Sequence, residues 1–346
     1  MKSLSELIPL LSEPKKIVIT HHYNADADAL GSTLGLMHFL KKLGHTATVV
    51  SPNDNPKFLS WLPGYDTISD YETSPDVVQS KLDEAEILFC LDFNIFHRTK
   101  HLADSLRNFK GIKVLIDHHL QPDTESFDFG CSLPEKSSTA EMVYDYIELN
   151  NKIEDIDKEI ASCLYIGAVA DTGGFRYAST APSTLEMAAT LMKTGISISS
   201  IQERTFNTRS EGDLRLLGYI LKDNMQLFPE HHAALITVPQ EIYKKYNIQS
   251  GGTEGLVNYP LSIGNIIFST FIVERDQEVK MSLRSQGSLD VSNIARTYFN
   301  GGGHKNASGG RSEESLAETI ETFKNVLEKH SKEIKTCYNE LQQSPY

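Results

Sequence analysis

At 346 residues the chain is too long for one ordinary core, so two domains are expected. A formal net charge of -13, with 40% hydrophobic and 23% charged residues, fits a globular protein and weighs against one that grips long duplex nucleic acid by its backbone. A short phosphorylated substrate stays open, because bound cations and a few local basic groups make a positive pocket even in an acidic protein.

The N-terminal segment has no secretory cleavage pattern and carries Leu and Ile at the spacing of a short amphipathic helix. No apolar run approaches the roughly 20 residues of a membrane span. Residues 16–20 read as a strand, and 28–43 follow with Leu30, Leu34, Met37 and Leu40 at helical spacing before Gly44. Strands are predicted at 46–50, 86–91 and 112–116. Ser138 and Glu141 form a capping box that opens a helix to about 149. An apolar helix follows at 160–170, and residues 180–183 cap another through 193. The stretch 201–227 stays helical and more charged, as a connector would.

The second half changes character, with strands at 234–238, 266–273 and 279–284 and helices at 291–299 and 315–330. A glycine-rich loop, Gly301 to His304, lies between them, and the polar tail from about Tyr338 is expected to fray. Cys90, Cys131, Cys163 and Cys337 form no CxxC pair and read as free thiols of a reducing cytoplasm. The predicted class is α/β. A domain over 1–198 has a mainly parallel sheet flanked by helices, a connector spans 199–228, and a smaller α/β domain fills 229–346.

Ligands of such sheets bind outside the carboxyl ends of the strands, and that is where the chemistry-bearing residues fall. His22, Asn24, Asp26 and Asp28 alternate after the first strand, so an extended backbone would point them one way, with His21 facing away. Read alone, this segment is equally a polar loop whose Asp28 caps the next helix. Asp92 ends another apolar strand, at a height where one carboxylate could bridge two cations; Arg98 reads as a support for this loop. Asp117, His118 and His119 end a third, where one imidazole can ligate metal, the other can face substrate and Asp117 can orient a ring. Asp171, Thr172, Gly173 and Gly174 end the apolar helix. One such segment is a turn; together they supply the carboxylates and imidazoles of a two-metal phosphoesterase site. In the second half Gly301, Gly302 and Gly303 permit close backbone approach to an anion, with Lys280, Arg284, His304 and Lys305 near them in sequence.

These residues closely resemble the DHH–DHHA1 phosphoesterase superfamily. Residues 22–32 resemble its first motif, Asp92 its second, Asp117-His118-His119 the signature that names it, and 171–176 its fourth. Residues 279–285 and 301–310 resemble the DHHA1 substrate domain, and the likeness spans about 15–325. Ala25 and Ala27 stand where the family has Pro and Gly, and Ser308 where it has Ala. Ala27 then requires a negative φ.

The resemblance implies an active site in the interdomain cleft with two manganese ions, magnesium or cobalt being alternatives. His22, Asp26 and Asp92 would hold one ion. Asp28, Asp92, His118 and Asp171 would hold the other, with Asp92 bridging and a hydroxide between the ions as nucleophile. Catalytic roles fall to Asp92, Asp117 and His119. Arg284, Ser285, Gly301, Gly302, Gly303 and His304 would meet the substrate, with Arg98 able to reach it.

Within the superfamily the chain looks most like the cytoplasmic nano-RNases. Their substrates are short 5′-phosphorylated oligoribonucleotides and nucleotide bisphosphates such as 3′-phosphoadenosine 5′-phosphate, and a homodimer is suggested by relatives. A phosphodiesterase of cyclic or linear diadenylate is the alternative. A RecJ-like exonuclease, a family II pyrophosphatase and a non-catalytic nucleotide sensor fit less well.

Overall fold

The computed structural model describes residues 1–207, 209–248, 251–275 and 278–343, and the chain divides into two compact units, Met1–Thr208 and Arg209–Tyr346. In chain order the first runs α1 (Leu4–Leu7), β1 (Lys16–Thr20), α2 (Ala27–Lys42), β2 (Thr46–Ser51), β3 (Ser69–Asp70), α3 (Pro75–Glu84), β4 (Ile87–Leu91), α4 (Ala103–Arg107), β5 (Ile112–Asp117), β6 (Phe129–Ser132), α5 (Thr139–Leu149), α6 (Lys158–Asp171), α7 (Pro182–Lys193) and α8 (Ile198–Phe206). Its strands lie in the order β3-β2-β1-β4-β5-β6, each pair parallel. β4 is buried along its whole length, which is why Ile87 to Leu91 form a continuous apolar run without alternation. The strand order reverses between β1 and β4. That reversal leaves a crevice above their carboxyl ends, where His22 and Asp92 follow.

On one side α2 and α5 meet the strands, and α6 packs against both, its close crossing with α2 depending on glycine. A Cβ at Gly31 would lie 2.4 Å from the Cys163 carbonyl oxygen, and one at Gly167 would lie 2.7 Å from Asp28 Oδ1. This crossing brings the start of α2, carrying Asp28, against the last turns of α6, which end in Asp171.

The second unit contains α9 (Glu211–Tyr219), β7 (Met225–Phe228), β8 (Ala233–Val238), α10 (Gln240–Lys245), β9 (Phe268–Arg275), β10 (Glu278–Ser285), α11 (Val291–Tyr298), β11 (Gly302–His304), β12 (Ala307–Ser312) and α12 (Leu316–Gln343). Its sheet order is β11-β12-β10-β9-β8-β7, antiparallel except for β8 beside β9. Phe268, Leu283, Ile294, Phe299 and Phe323 fill its core with α11 and α12.

Several elements differ from the sequence reading. The segment at 225–227 is not helical: it forms β7, because pairing with β8 outweighs the helical pattern that runs into it. The glycine segment is no open loop, since Gly302 to His304 pair with Ala307 to Gly309 as a hairpin. The tail does not fray at Tyr338. Helix α12 continues to Gln343, with Cys337 buried and Tyr338 stacked on His232 at 3.7 Å between ring centroids. Residues 344–346 of that predicted tail lie outside the described residues. The stretch read as a connector is divided, α8 lying in the first unit and α9 in the second. Among the described residues no helix is long and apolar enough to cross a membrane, and all four cysteines are free.

Candidate metal centre

The first motif is bent rather than extended. Asn24 takes a left-handed φ of 57°, and its backbone N–H donates to Asn53 Oδ1 at 2.8 Å while Asn53 Nδ2 returns a bond to Asn24 Oδ1 at 3.2 Å. The chain then enters α2 at Ala27, which has the helical φ that a residue other than glycine needs there. Asp26, not Asp28, is the N-cap: its Oδ1 accepts the backbone N–H of Asp28 at 3.0 Å and of Ala29 at 2.9 Å. The turn therefore does what an extended alternation was expected to do. It brings Asp26 Oδ2 within 3.7 Å of His22 Nε2.

Asp92 sits at the centre of the cluster. It is 2% exposed and holds a left-handed φ of 63°, a conformation residues other than glycine, Asn and Asp seldom adopt. Its carboxylate lies 3.4 Å from His22 Nε2, 3.5 Å from His118 Nε2 and 3.8 Å from His119 Nδ1. His118 Nε2 also approaches Asp171 at 3.3 Å and Asp28 at 3.9 Å. The ligand atoms of His22, Asp26 and Asp92 fall within 4.8 Å of one another, as do those of Asp28, Asp92 and His118, so each group could hold a metal ion.

The imidazoles are oriented for that task. His22 Nδ1 lies 2.9 Å from the Tyr23 carbonyl oxygen, which fixes the proton on Nδ1 and turns Nε2 toward the carboxylates. His118 does the same with the Lys136 carbonyl oxygen at 3.4 Å. His119 donates Nδ1–H to Asp117 Oδ1 at 2.7 Å, and its backbone N–H donates to Asp117 Oδ2 at 3.0 Å. Asp117 is fully buried and both its oxygens serve His119. His21 is buried with its Nδ1 2.9 Å from the His22 carbonyl oxygen, and burial pushes its pKa down to about 4. The Arg98 backbone carbonyl accepts the Tyr23 N–H at 2.9 Å and its guanidinium reaches the Asp92 carbonyl oxygen at 3.4 Å, which ties the two loops together.

The electrostatics favour a cation. Among the described residues Asp26, Asp28, Asp92, Asp117 and Asp171 have ion-pair contacts with histidines and with no Lys or Arg. Burial works against charge on His22 and His118, but the surrounding carboxylates outweigh it and hold both pKa values up at about 10. Burial likewise opposes charge on Asp92, yet His118 and His22 keep it well below the usual carboxylate range. Asp28 is pushed well up, by burial and then by Asp92; Asp171 rises through burial and then through Asp28. Carboxylates that crowd until some resist ionisation, with histidines but no Lys or Arg paired to them, make a donor set that suits a hard divalent cation.

Sequence reasoning missed a supporting segment. Both Asp28 oxygens accept backbone N–H groups at the start of α5, Oδ2 from Thr139 at 2.6 Å and Oδ1 from Ala140 at 2.9 Å. Thr139 Oγ1 donates to Asp92 Oδ1 at 3.1 Å. Ser138 does cap α5, accepting the Glu141 N–H at 3.1 Å, but the Glu141 side chain does not return to it. That carboxylate binds Ser137 and Lys136 in its own loop and reaches Ser183 and Thr184 at the start of α7. Burial alone would raise its pKa; these donors bring it down to about 2. The capping-box pattern was the one visible signal of this segment.

In the second unit Arg284 and His304 both lie opposite Ala307 across β10-β12-β11, so the two share one sheet face. The glycines divide. A Cβ at Gly301 would sit 2.0 Å from the Gly309 carbonyl oxygen, and Gly303 has φ 141° with Ala307 O 2.7 Å from its Cβ position, so both are required by the hairpin itself. At Gly302 the nearest atom to an added Cβ is Arg296 Cγ at 3.8 Å. The Gly301 N–H is spent on the Ala295 carbonyl oxygen at 3.1 Å. Ser285 is buried and donates to the Leu289 carbonyl oxygen at 2.7 Å, which corrects its expected place at the substrate. Ser308 donates to the His304 carbonyl oxygen at 2.9 Å and so closes the hairpin turn.

Comparison with known proteins adds independent findings. The model of the DHH family, N-terminal domain, matches residues 16–168, and that of the DHHA1 domain matches 237–333. The bifunctional oligoribonuclease and PAP phosphatase NrnA of Thermus thermophilus is 30% identical over 89% of this chain and 87% of its own. Its namesake from Bacillus subtilis is 29% identical over 88% and 92%. The crystal structure of an exopolyphosphatase-related protein from Bacteroides fragilis matches with a TM-score of 0.93 at 38% identity, covering 96% of this chain and 97% of that one. RecJ of Thermus thermophilus in complex with Mn2+ shares the fold at 17% identity and a TM-score of 0.57, covering 95% of this chain and 55% of RecJ.

Proposed function

We propose that this chain, which belongs to the DHH–DHHA1 phosphoesterase family, hydrolyses short RNA oligonucleotides to mononucleotides from a phosphorylated end and removes the 3′-phosphate of 3′-phosphoadenosine 5′-phosphate in a cytoplasmic setting. The observation that carries this reading is the Asp92-centred group of carboxylates, Asp28 and Asp92 buried and Asp26 exposed, with Nε2-directed histidines and no Lys or Arg among their ion-pair partners. His22, Asp26 and Asp92 would hold one manganese-type ion, and Asp28, Asp92, His118 and Asp171 a second. When bound, such ions supply Lewis acidity and an activated water.

The other parts belong to the chain itself. Asp117 holds a proton on His119 Nδ1 and so fixes which nitrogen, Nε2, addresses the substrate. His119, so oriented, gives a proton from Nε2 to the leaving oxygen. Asp92, held in place by its left-handed backbone, keeps its carboxylate between His22 and His118. In the second unit Arg284 and His304, on one sheet face, grip the terminal phosphate, and Gly302 gives the backbone room to approach it. A clamp on a terminal phosphate selects short substrates with a phosphorylated end.

The test is manganese-dependent turnover of a 5′-phosphorylated RNA dinucleotide, a longer RNA, 3′-phosphoadenosine 5′-phosphate and cyclic diadenylate side by side, resolved by chromatography. Mononucleotide from the dinucleotide and adenosine monophosphate from the bisphosphate are expected. Preferential opening of the cyclic substrate would overturn the substrate assignment.

A further inference from the structure

The segment Lys136 to Glu141 contributes no candidate ligand, yet it touches three of them. Its Lys136 carbonyl oxygen lies against His118 Nδ1, its Thr139 hydroxyl donates to Asp92, and its Thr139 and Ala140 N–H groups donate to the two oxygens of Asp28. Both carboxylates and the imidazole thus take their orientation from a stretch shorter than two helical turns.

Glu141 is what holds that stretch. It is 1% exposed, although an unpaired carboxylate there would be costly. Oε2 accepts from the Ser137 N–H at 3.1 Å, from Ser137 Oγ at 2.6 Å and from Thr184 Oγ1 at 2.9 Å. Oε1 accepts from Lys136 Nζ at 3.1 Å and Ser183 Oγ at 2.7 Å. One side chain therefore joins the loop after β6, the start of α5 and the start of α7. A helix needs no such junction for its own cap, since Ser138 already accepts the Glu141 N–H. The bonds run outward from α5, to the loop that presents the Lys136 carbonyl and to a second helix.

We infer that Glu141 and Thr139 are positioning residues for the metal centre: Glu141 fixes the 136–140 segment, and that segment sets the orientation of His118, Asp92 and Asp28. This rests on the metal-dependent reading above. Partners that orient metal ligands typically change affinity by about 10–100-fold when removed. Thr139→Val keeps the shape of the side chain and removes only the hydroxyl that meets Asp92. Glu141→Gln keeps the size and removes the charge that organises its donors.

The experiment measures manganese affinity by isothermal titration calorimetry, and the Mn2+ electron paramagnetic resonance line shape, on the full chain well below its unfolding temperature. Wild type is compared with Thr139→Val, Glu141→Gln and Glu148→Gln, the last an exposed position on α5. The inference expects Thr139→Val to weaken binding about tenfold, Glu141→Gln to weaken it about 10–100-fold with an altered line shape, and Glu148→Gln to match wild type. Should Glu141→Gln fail to fold, Thr139→Val decides alone. Wild-type affinity and line shape in Thr139→Val, whatever happens to thermal stability, would overturn the inference and leave the metal reading standing. A wild-type protein that binds no manganese overturns the metal reading itself.

Discussion

In the first unit Asp28 and Asp92 are withdrawn from water and share their volume with other carboxylates and three histidines, whereas in the second unit Gly301, Gly303 and Ser308 answer backbone groups of their own hairpin. Both segments are rich in residues that suggest ligand binding. In the first the geometry gathers carboxylates whose ion-pair partners are histidines, with no Lys or Arg. In the second most of the suggestive residues are used up by the fold, Arg284 Nη1 included, which donates to the Leu283 carbonyl oxygen at 3.0 Å, while Gly302 leaves room beside its backbone. The contrast teaches that the number of functional-looking residues matters less than what their polar atoms already do.

The largest effect should come from Asp92→Asn. Asn also tolerates a left-handed backbone, so the fold should persist, while hydrolysis of a 5′-phosphorylated dinucleotide falls by roughly 10³-fold or more. Circular dichroism and steady-state rates check both halves, and appreciable activity in a folded variant would end the bridging role.

Next, Arg284→Ala should raise KM for that dinucleotide about tenfold, the loss of one charged hydrogen-bonding partner, and should leave a simple aryl phosphodiester nearly unaffected. Equal effects on both substrates would remove terminal-phosphate recognition from the second unit.

The glycines sharpen the comparison further. Gly167→Ala should cost about 1–3 kcal/mol in urea unfolding, because its Cβ meets Asp28 Oδ1 at 2.7 Å, and it should weaken manganese binding as well. Gly301→Ala should cost a similar amount, about 1–3 kcal/mol, with manganese affinity intact, since it strains only the hairpin. Gly302→Ala should stay within about 0.5 kcal/mol of wild type in stability and act on KM alone. A destabilising Gly302→Ala would mean that the hairpin, not a ligand, needs this glycine too.

The histidines of the first unit add a dependence on pH. His22 and His118 titrate near 10 in the metal-free protein, so at neutral pH both carry protons that a metal must displace. Manganese affinity should therefore fall as pH falls, and binding should release protons, measured as a dependence of calorimetric heat on buffer ionisation enthalpy. Because these pKa values are raised above the usual 6.5, the metal-free fold gains stability below that value and loses it as pH climbs through about 10. Unfolding midpoints across alkaline pH check the sign.

The parallel sheet was legible because its buried strands are unbroken apolar runs that stop at His or Asp, and the chemistry stops with them. The bend at Asn24 was not, because it depends on Asn53, which is far along the chain. The same holds for Glu141, whose local pattern announced a cap while its partners Ser183 and Thr184 lie beyond α6. Strand β7 and the glycine hairpin were hidden for a related reason: neither has strand propensity of its own, and each exists through pairing with β8 or β12. Asp28 read as the cap of α2, and the turn at Asn24 gives that place to Asp26 instead.

The most direct test of the central claim is to strip the wild-type protein with a chelator, assay a 5′-phosphorylated dinucleotide, and then restore manganese stepwise while counting bound ions. No hydrolysis is expected without metal, and recovery should track occupancy of the Asp92-centred site. Undiminished hydrolysis by the metal-free protein would contradict that claim.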